Sequence, residues 1–371
     1  MSRIHDTLWP IEPHTAAKHA ILKAYLDAWF PIMSSWAPRL VFIDGFAGPG
    51  RYVGGEPGSP LVALNAVLER STLIGCPVDF HFIEERHDRI EYLRSEVSRL
   101  RSSDLVRVHF HEGQFDAEVT RFLDDADSVS RQAAPIFAFI DPFGWAVPMS
   151  VIARLMMNYR CEVFINFMYE EINRFISHPQ QVAAWDQLFG SSRWRDCASL
   201  NGRTERYQCL SELYRAQLLG LTDARYVLSF EMQNQRSRTD YLLYFATQDR
   251  QGLLKMKEAM WQVDRSGRFV FSDVFHGPQL VLPLGESGPD FPQLRTKIET
   301  RFAGLHVSIE EIERFVVEET KFLATHYKTN ILRAMENESP PALTVVRGPE
   351  KRRRGTFPPW TEVSFRSPRP E

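Results

Sequence analysis

The stretch "DGFAGPG", residues 44 to 50, sets Asp44, Phe46, Gly48 and Gly50 at alternate positions directly behind the apolar run "LVFI". Glycines at 48 and 50 let a ligand approach the backbone closely, and an aspartate at a strand end accepts hydrogen bonds from an amino group or a hydroxyl. Such a turn can hold a flat or charged cofactor. Spacing excludes two phosphate-binding patterns. The dinucleotide pattern GxGxxG, counted from Gly48, meets Val53 where its third glycine belongs. The pattern GxxxxGK followed by Ser or Thr, counted from Gly50, meets Glu56 and Pro57, and a carboxylate there repels phosphate. Residues of related chemistry recur downstream: Glu84 and Glu85 after "VDFHFI", Gln114 in "EGQF", and Asp141, Pro142 and Phe143 in "DPFGW".

These side chains meet only if the segments before them end at one rim of one sheet. Apolar runs at 40–43, 78–84, 106–110, 136–142 and 162–168 read as strands, and the amphipathic stretches 86–102 and 115–127 between them read as helices. Alternating strand and helix is the pattern of a parallel doubly wound sheet, whose ligands bind beyond the carboxyl ends of the strands. A helix over 14–36 precedes the first strand, with Pro31 expected to end or kink it. Ser59 is placed as the N-cap of the helix after the glycine turn, with Pro60 at its first position. Runs 224–233 and 240–247 form an antiparallel hairpin that closes the sheet, followed by a helix over 250–264. The expected fold is α/β, a doubly wound, mostly parallel Rossmann-like sheet with an antiparallel closing hairpin, filling 1–272. A Pro/Gly-rich linker region at 273–300 leads to a basic module at 301–371. There a helical segment opened by a capping box, Ser308 with Glu311, precedes two short strands around "RGPEKRRRG", which together resemble a winged helix.

Each candidate has a structural rival. Asp141 also reads as an N-cap for the helix that follows. Arg51 and Tyr52 line the site or are solvated, and "RYVGGEPG" is a lid or reshapes the pocket. Asn166, Glu170, Asn173 and Arg174 lie near the expected cleft, where salt bridges explain Glu170 and Arg174 equally well. His109 and His111 lack partners at ligand spacing and read as packed or solvent-facing, so no metal is expected. Trp9, Trp29 and Trp36 read as core residues.

Asp-x-Phe-x-Gly-x-Gly at 44–50 resembles motif I of class I S-adenosylmethionine-dependent methyltransferases. That resemblance implies S-adenosylmethionine as cofactor, with Glu84 accepting from the ribose hydroxyls, Glu85 as its rival, and Gln114 contacting adenine. "DPFGW" resembles motif IV, "DPPY", of amino-methylating enzymes, in which the acid and the following carbonyl hold the target amine and the aromatic ring stacks on its base. Phe143 and Gly144 depart from that pattern. Taken together, "HTAAKHAILKAYLDAW", "FIDGFAGPGRY", "GSPLVAL", "FIEE", "FIDPFGW" and "KMKEAMWQVD" look like the bacterial three-Cys-motif partner protein family. This resemblance implies a methyltransferase-like fold encoded beside a separate three-cysteine protein similar to radical S-adenosylmethionine enzymes.

The chain has 371 residues, 44 % hydrophobic, with a formal net charge of -3, so attraction to nucleic acid must come from a local patch. Residues 347 to 371 hold seven Lys/Arg against three Glu, and Arg347, Lys351, Arg352, Arg353 and Arg354 are the candidate phosphate contacts. Such charge runs are also commonly solvated, mobile segments. Cys76, Cys161, Cys197 and Cys209 lack a CxxC pair and read as reduced, mostly buried thiols. No run is apolar enough for a signal peptide or a membrane span, so a cytoplasmic protein is expected. Two functions follow: a methyltransferase acting on DNA or RNA, or a non-catalytic nucleic-acid-binding adaptor in DNA repair or modification that serves the radical-enzyme partner.

Overall fold

The computed structural model describes residues 6–128, 134–144, 147–158, 160–273, 288–348 and 352–367. The chain divides into two units: Met1–Ala259 with Val270–Pro283, and Met260–Phe269 with Leu284–Glu371.

The first unit is built on strands β1 (Leu40–Asp44), β2 (Val78–Glu84), β3 (Val106–Glu112), β4 (Ile136–Ile140), β5 (Cys161–Phe167), β6 (Tyr226–Gln233), β7 (Thr239–Thr247) and β8 (Val270–Ser272). They form one sheet in the order β3-β2-β1-β4-β5-β7-β6-β8. β1 to β5 run parallel, and β7 lies antiparallel between β5 and β6, so the expected Rossmann-like sheet with its closing hairpin is present. The hairpin is not the edge, because β8 adds a parallel strand outside β6. Every residue of β1, β4 and β5 is buried, which explains their unbroken apolar sequence. One face carries Phe42, Phe80 and Phe137 against Tyr25, Trp29 and Phe30 of helix α1 (Pro13–Ser34). The other carries Val41, Ile43, Ala138, Ile140, Val163 and Ile165. Edge strand β3 alternates half-buried and exposed residues and puts Arg107 and His109 outward.

The remaining helices of this unit are α2 (Ser59–Leu68), α3 (His87–Ser98), α4 (Phe115–Ser128), α5 (Met149–Met156), α6 (Tyr169–Phe175), α7 (Val182–Phe189), α8 (Trp194–Ala198) and α9 (Arg203–Leu221), while α10 (Arg250–Val263) runs across the division. Several expectations need correction. α1 continues past Pro31 to Ser34. Gly58, not Ser59, is the N-cap of α2, because the Ser59 hydroxyl is turned to Asp44. Cys197 and Cys209 are joined in a disulfide between α8 and α9, their Cα atoms 5.4 Å apart, whereas Cys76 and Cys161 are free and buried. Trp29 is core, but Trp36 is 49 % exposed beneath the Arg160 guanidinium, 4.0 Å from its ring centre.

In the second unit a three-stranded antiparallel sheet, β9 (His306–Ser308), β10 (Leu343–Arg347) and β11 (Glu362–Phe365), has the order β10-β11-β9. α11 (Phe291–Phe302) begins inside the stretch read as a connection; residues 274–287 lie outside the described ones. The capping box of Ser308 and Glu311 opens α12 (Ile309–Glu319) as expected. α13 (Ala324–Tyr327) and α14 (Arg333–Asn337) are joined by a wider π turn, and Tyr327, Ile331, Leu332 and Met335 seat this segment in the core.

Candidate functional site

The strand order reverses between β1 and β4, and the candidate residues gather beyond the carboxyl ends of the strands there. Register brings them level: Asp44 lies beside Phe82 of β2 and Phe139 of β4, and Glu84 beside Glu112 of β3.

Asp44 is fully buried. Its Oδ1 accepts from the Phe46 amide at 3.2 Å, and its Oδ2 has no hydrogen-bond partner. Burial pushes its carboxyl up to about 7; Asp141 and Glu84 add to this, while the Ser59 hydroxyl and the Phe46 amide oppose it. Gly48 and Gly50 have φ of 60° and 80°, the left-handed region that favours glycine. A Cβ on Gly50 would stand 2.5 Å from Leu93 Cδ1, and one on Gly45 the same distance from the Phe115 ring. The Gly48 amide donates to Glu84 Oε2 at 3.0 Å, and the Arg86 amide to Glu84 Oε1 at 2.9 Å. Glu84 is thus turned toward the glycine turn, its pKa raised by burial against those amides.

A cavity of about 750 Å³ opens beside this turn. Glu84, Glu85, Gln114, Phe115, Asp116 and Phe143 are among its lining residues, with Gly45, Phe46 and Pro142. Phe46 stacks on Phe115 at 5.4 Å, and Gln114 Nε2 donates to Glu85 Oε1 at 3.4 Å. The cavity therefore brings together Phe46, Glu84, Glu85, Gln114, Pro142 and Phe143, whereas Asp44, Gly48 and Gly50 are not among its lining residues. No residue from 51 to 58 lines it. That segment folds on itself: Arg51 pairs with Pro57, the Gly58 amide donates to the Gly50 carbonyl at 2.7 Å, and Arg51 Nε bonds Glu96 at 2.5 Å.

Asp141 is committed on both sides. Lys18 Nζ donates to its Oδ2 at 2.5 Å and Asn166 Nδ2 to its Oδ1 at 2.7 Å. Phe143 is 56 % exposed, and Trp145 lies outside the described residues. Glu170 pairs with Arg203 of α9 at 2.6 Å, and Asn173 accepts from Arg206 at 3.2 Å, so both serve the α6–α9 contact.

Sequence reasoning missed His14, Lys18 and His19, which α1 presents, buried, to this rim. Their signal is present in the sequence, since three polar residues share the stripe of Ala17, Ile21 and Leu22, where a purely structural helix carries apolar ones. His14 bonds Asp273 and Glu12, each at 3.0 Å. Burial opposes its charge, yet those two carboxylates outweigh burial and lift it to about 9. His19 goes the other way: burial, with the Lys18 cation beside it, drives the ring down to about 3, so it is neutral. Trp9 was also misread. It lies over the glycine turn, its Cη2 3.5 Å from where a Gly48 Cβ would stand.

The candidate phosphate contacts lie in the second unit and divide in two. Arg352 bonds the buried Glu336 carboxylate and the Thr356 carbonyl, and Arg354 donates to the Glu336 carbonyl at 2.7 Å. Arg347 is 78 % exposed and 3.6 Å from Glu362, and Arg353 is exposed with no side-chain partner among the described residues. Lys351 lies outside the described residues.

No family model and no curated protein matches this chain. Among solved structures it is similar to Trm1 from Pyrococcus horikoshii with S-adenosyl-L-methionine, at 12 % identity and a TM-score of 0.37 over 71 % of this chain and 62 % of that one. It is also similar to an O-methyltransferase from Bacillus cereus in complex with S-adenosylhomocysteine, at 12 % identity and a TM-score of 0.32 over 61 % and 80 %. The chain spans less than two thirds of Trm1. At these scores the likenesses add nothing to the chemistry of the site.

Proposed function

We propose that this protein is an S-adenosylmethionine-dependent methyltransferase acting on nucleic acid, DNA or RNA, beside a three-cysteine partner similar to radical S-adenosylmethionine enzymes. The observation that carries the cofactor reading is the cavity at the strand ends lined by Gly45, Phe46, Glu84, Glu85 and Gln114, with Gly45 following the buried Asp44, whose Oδ2 is unpartnered. Those features fit an adenosyl amino acid. Asp44 would take its ammonium side, Glu84 or Glu85 the ribose hydroxyls, and Gln114, Phe115 and Asp116 the adenine. Once bound, the cofactor supplies an electrophilic methyl group. Asp141 holds Lys18 and Asn166 in place, and Phe143 offers an exposed ring for stacking. The partner, and a bacterial setting, rest on the family resemblance of the quoted segments alone. The helices and β10–β11 hairpin of the second unit support a winged-helix reading, in which Arg347 and Arg353 meet phosphates.

One observation favours the second reading, a non-catalytic adaptor: both oxygens of Asp141 are taken by Lys18 and Asn166. Incubation with methyl-labelled S-adenosylmethionine and mixed DNA or RNA separates the two. Transfer of label to nucleic acid is the expected result. Salt-sensitive nucleic-acid binding without label, with the partner present, would establish the adaptor.

A further inference from the structure

Trp360 stands on the surface of the second unit in a conformation its side chain disfavours. Its φ is 58°, in the left-handed region that bulky residues seldom enter, and its side chain is exposed, the residue as a whole at 66 %. Phe269, the other aromatic residue with a left-handed backbone among the described residues, is fully buried, so packing offsets its strain. Trp360 has no such burial; its backbone is held instead. Pro358 and Pro359 stiffen the approach, and the Trp360 amide donates to Glu310 Oε1 at 2.8 Å. Thr361 beyond it is fully buried, its hydroxyl on the Pro358 carbonyl at 2.7 Å and its carbonyl accepting from the Ile309 amide at 2.9 Å. A strained residue that its surroundings hold in place, with a large ring left to solvent, marks a binding position.

The charges beside this ring decide what it meets. The two ends of the basic loop close together: a Cβ on Gly348 would stand 3.8 Å from both Arg352 Cδ and Thr361 Cγ2. Trp360 therefore sits at the base of that loop, next to the end of β10, where the Arg347 side chain is 78 % exposed. Arg353 on the loop is exposed as well. The carboxylates nearby are engaged: Glu310 with the Trp360 amide, Glu311 in the capping box, Glu336 with Arg352 and the Gly355 amide, and Glu362 with His306 at 3.3 Å as well as Arg347. An exposed indole on a loop with accessible guanidinium groups joins a stacking surface to phosphate attraction, the combination that binds single strands. A duplex keeps its base faces stacked on one another, out of reach of such a ring.

We propose that Trp360 is a stacking platform for an unpaired base, with the phosphates flanking that base held by Arg347 and Arg353. This rests on the nucleic-acid part of the reading above and narrows the substrate to strands with unpaired bases.

The test titrates the full chain with four fluorescein-labelled probes, followed by anisotropy: a single-stranded DNA of about 15 nucleotides, within the site sizes of single-strand binders, the RNA of the same sequence, the DNA duplex, and an abasic strand of equal length. The wild-type protein is expected to bind the single strands more tightly than the duplex or the abasic strand. Trp360→Gly should weaken the tighter of the two single strands by about tenfold, or ~1.4 kcal/mol, as for one lost stacked base, and leave the duplex and the abasic strand unchanged. Because glycine adopts positive φ freely, the same variant should melt no lower than the wild-type protein. Single-strand affinity that Trp360→Gly leaves unaltered, or an equal loss on all four probes, overturns the proposal and returns the ring to a protein interface; a lowered melting temperature overturns the strain argument behind it. A wild-type chain that binds no probe would instead refute the nucleic-acid reading itself, so the two failures are distinguishable.

Discussion

At the scale of single residues, the site depends on positions where chemistry and backbone geometry leave few choices. Gly50→Ala places a Cβ against Leu93 at positive φ; a loss of about 1–3 kcal/mol in urea unfolding is expected, together with weakened cofactor binding. Asp44 gives a pH signature. Its carboxyl is raised to about 7 by burial, so below that pH it must lose a proton to meet a cationic ligand. Affinity for S-adenosylmethionine should therefore rise between about pH 6 and pH 8, and Asp44→Asn should flatten the profile; an unchanged slope in the variant would assign it to another group. Asp44, Gly48, Gly50 and Glu84 were legible because each stands at a strand end or in a glycine turn. Trp9 was not, because what distinguishes it is a neighbour distant in sequence, Gly48.

At the scale of elements, period and turn chemistry were enough to read the parallel strands and the hairpin, since buried strands leave long apolar runs. β8 was hidden: three residues carry no period, and only pairing with β6 defines it. The disulfide was equally invisible, because a twelve-residue spacing becomes a contact only once α8 folds back on α9. Thiol titration of denatured, unreduced protein should find two reactive cysteines, Cys76 and Cys161; four would contradict the pairing. The described part of the basic loop, residues 352–356, is anchored, because Glu336 accepts from Arg352 and from the Gly355 amide. Glu336→Ala leaves that arginine without its buried partner. Trypsin should then cut after residues 352–354 much faster than in the wild-type protein, and equal rates would show that the loop is held by other contacts.

At the scale of the whole molecule, a chain of net charge -3 must confine phosphate attraction to patches. Alanine at both Arg347 and Arg353 should lower the salt slope of nucleic-acid binding by about two, whereas an unaltered slope would move the contact elsewhere. Global stability carries the mark of His14, whose folded pKa of about 9 lies above its ordinary 6.5 because Asp273 and Glu12 hold the charged ring. A raised histidine stabilises fully below its unfolded pKa, and that contribution is lost as pH rises through the folded one. The melting-temperature gap between wild type and His14→Gln should thus be widest near pH 6 and close toward pH 10. The central claim is that an adenosyl sulfonium binds in the cavity lined by Gly45, Phe46 and Glu84. Titration calorimetry of the intact chain with S-adenosylmethionine tests it most directly. One site per chain, lost in Gly50→Glu, is the predicted result; no heat at millimolar cofactor, or a variant that binds as the wild type does, would contradict it.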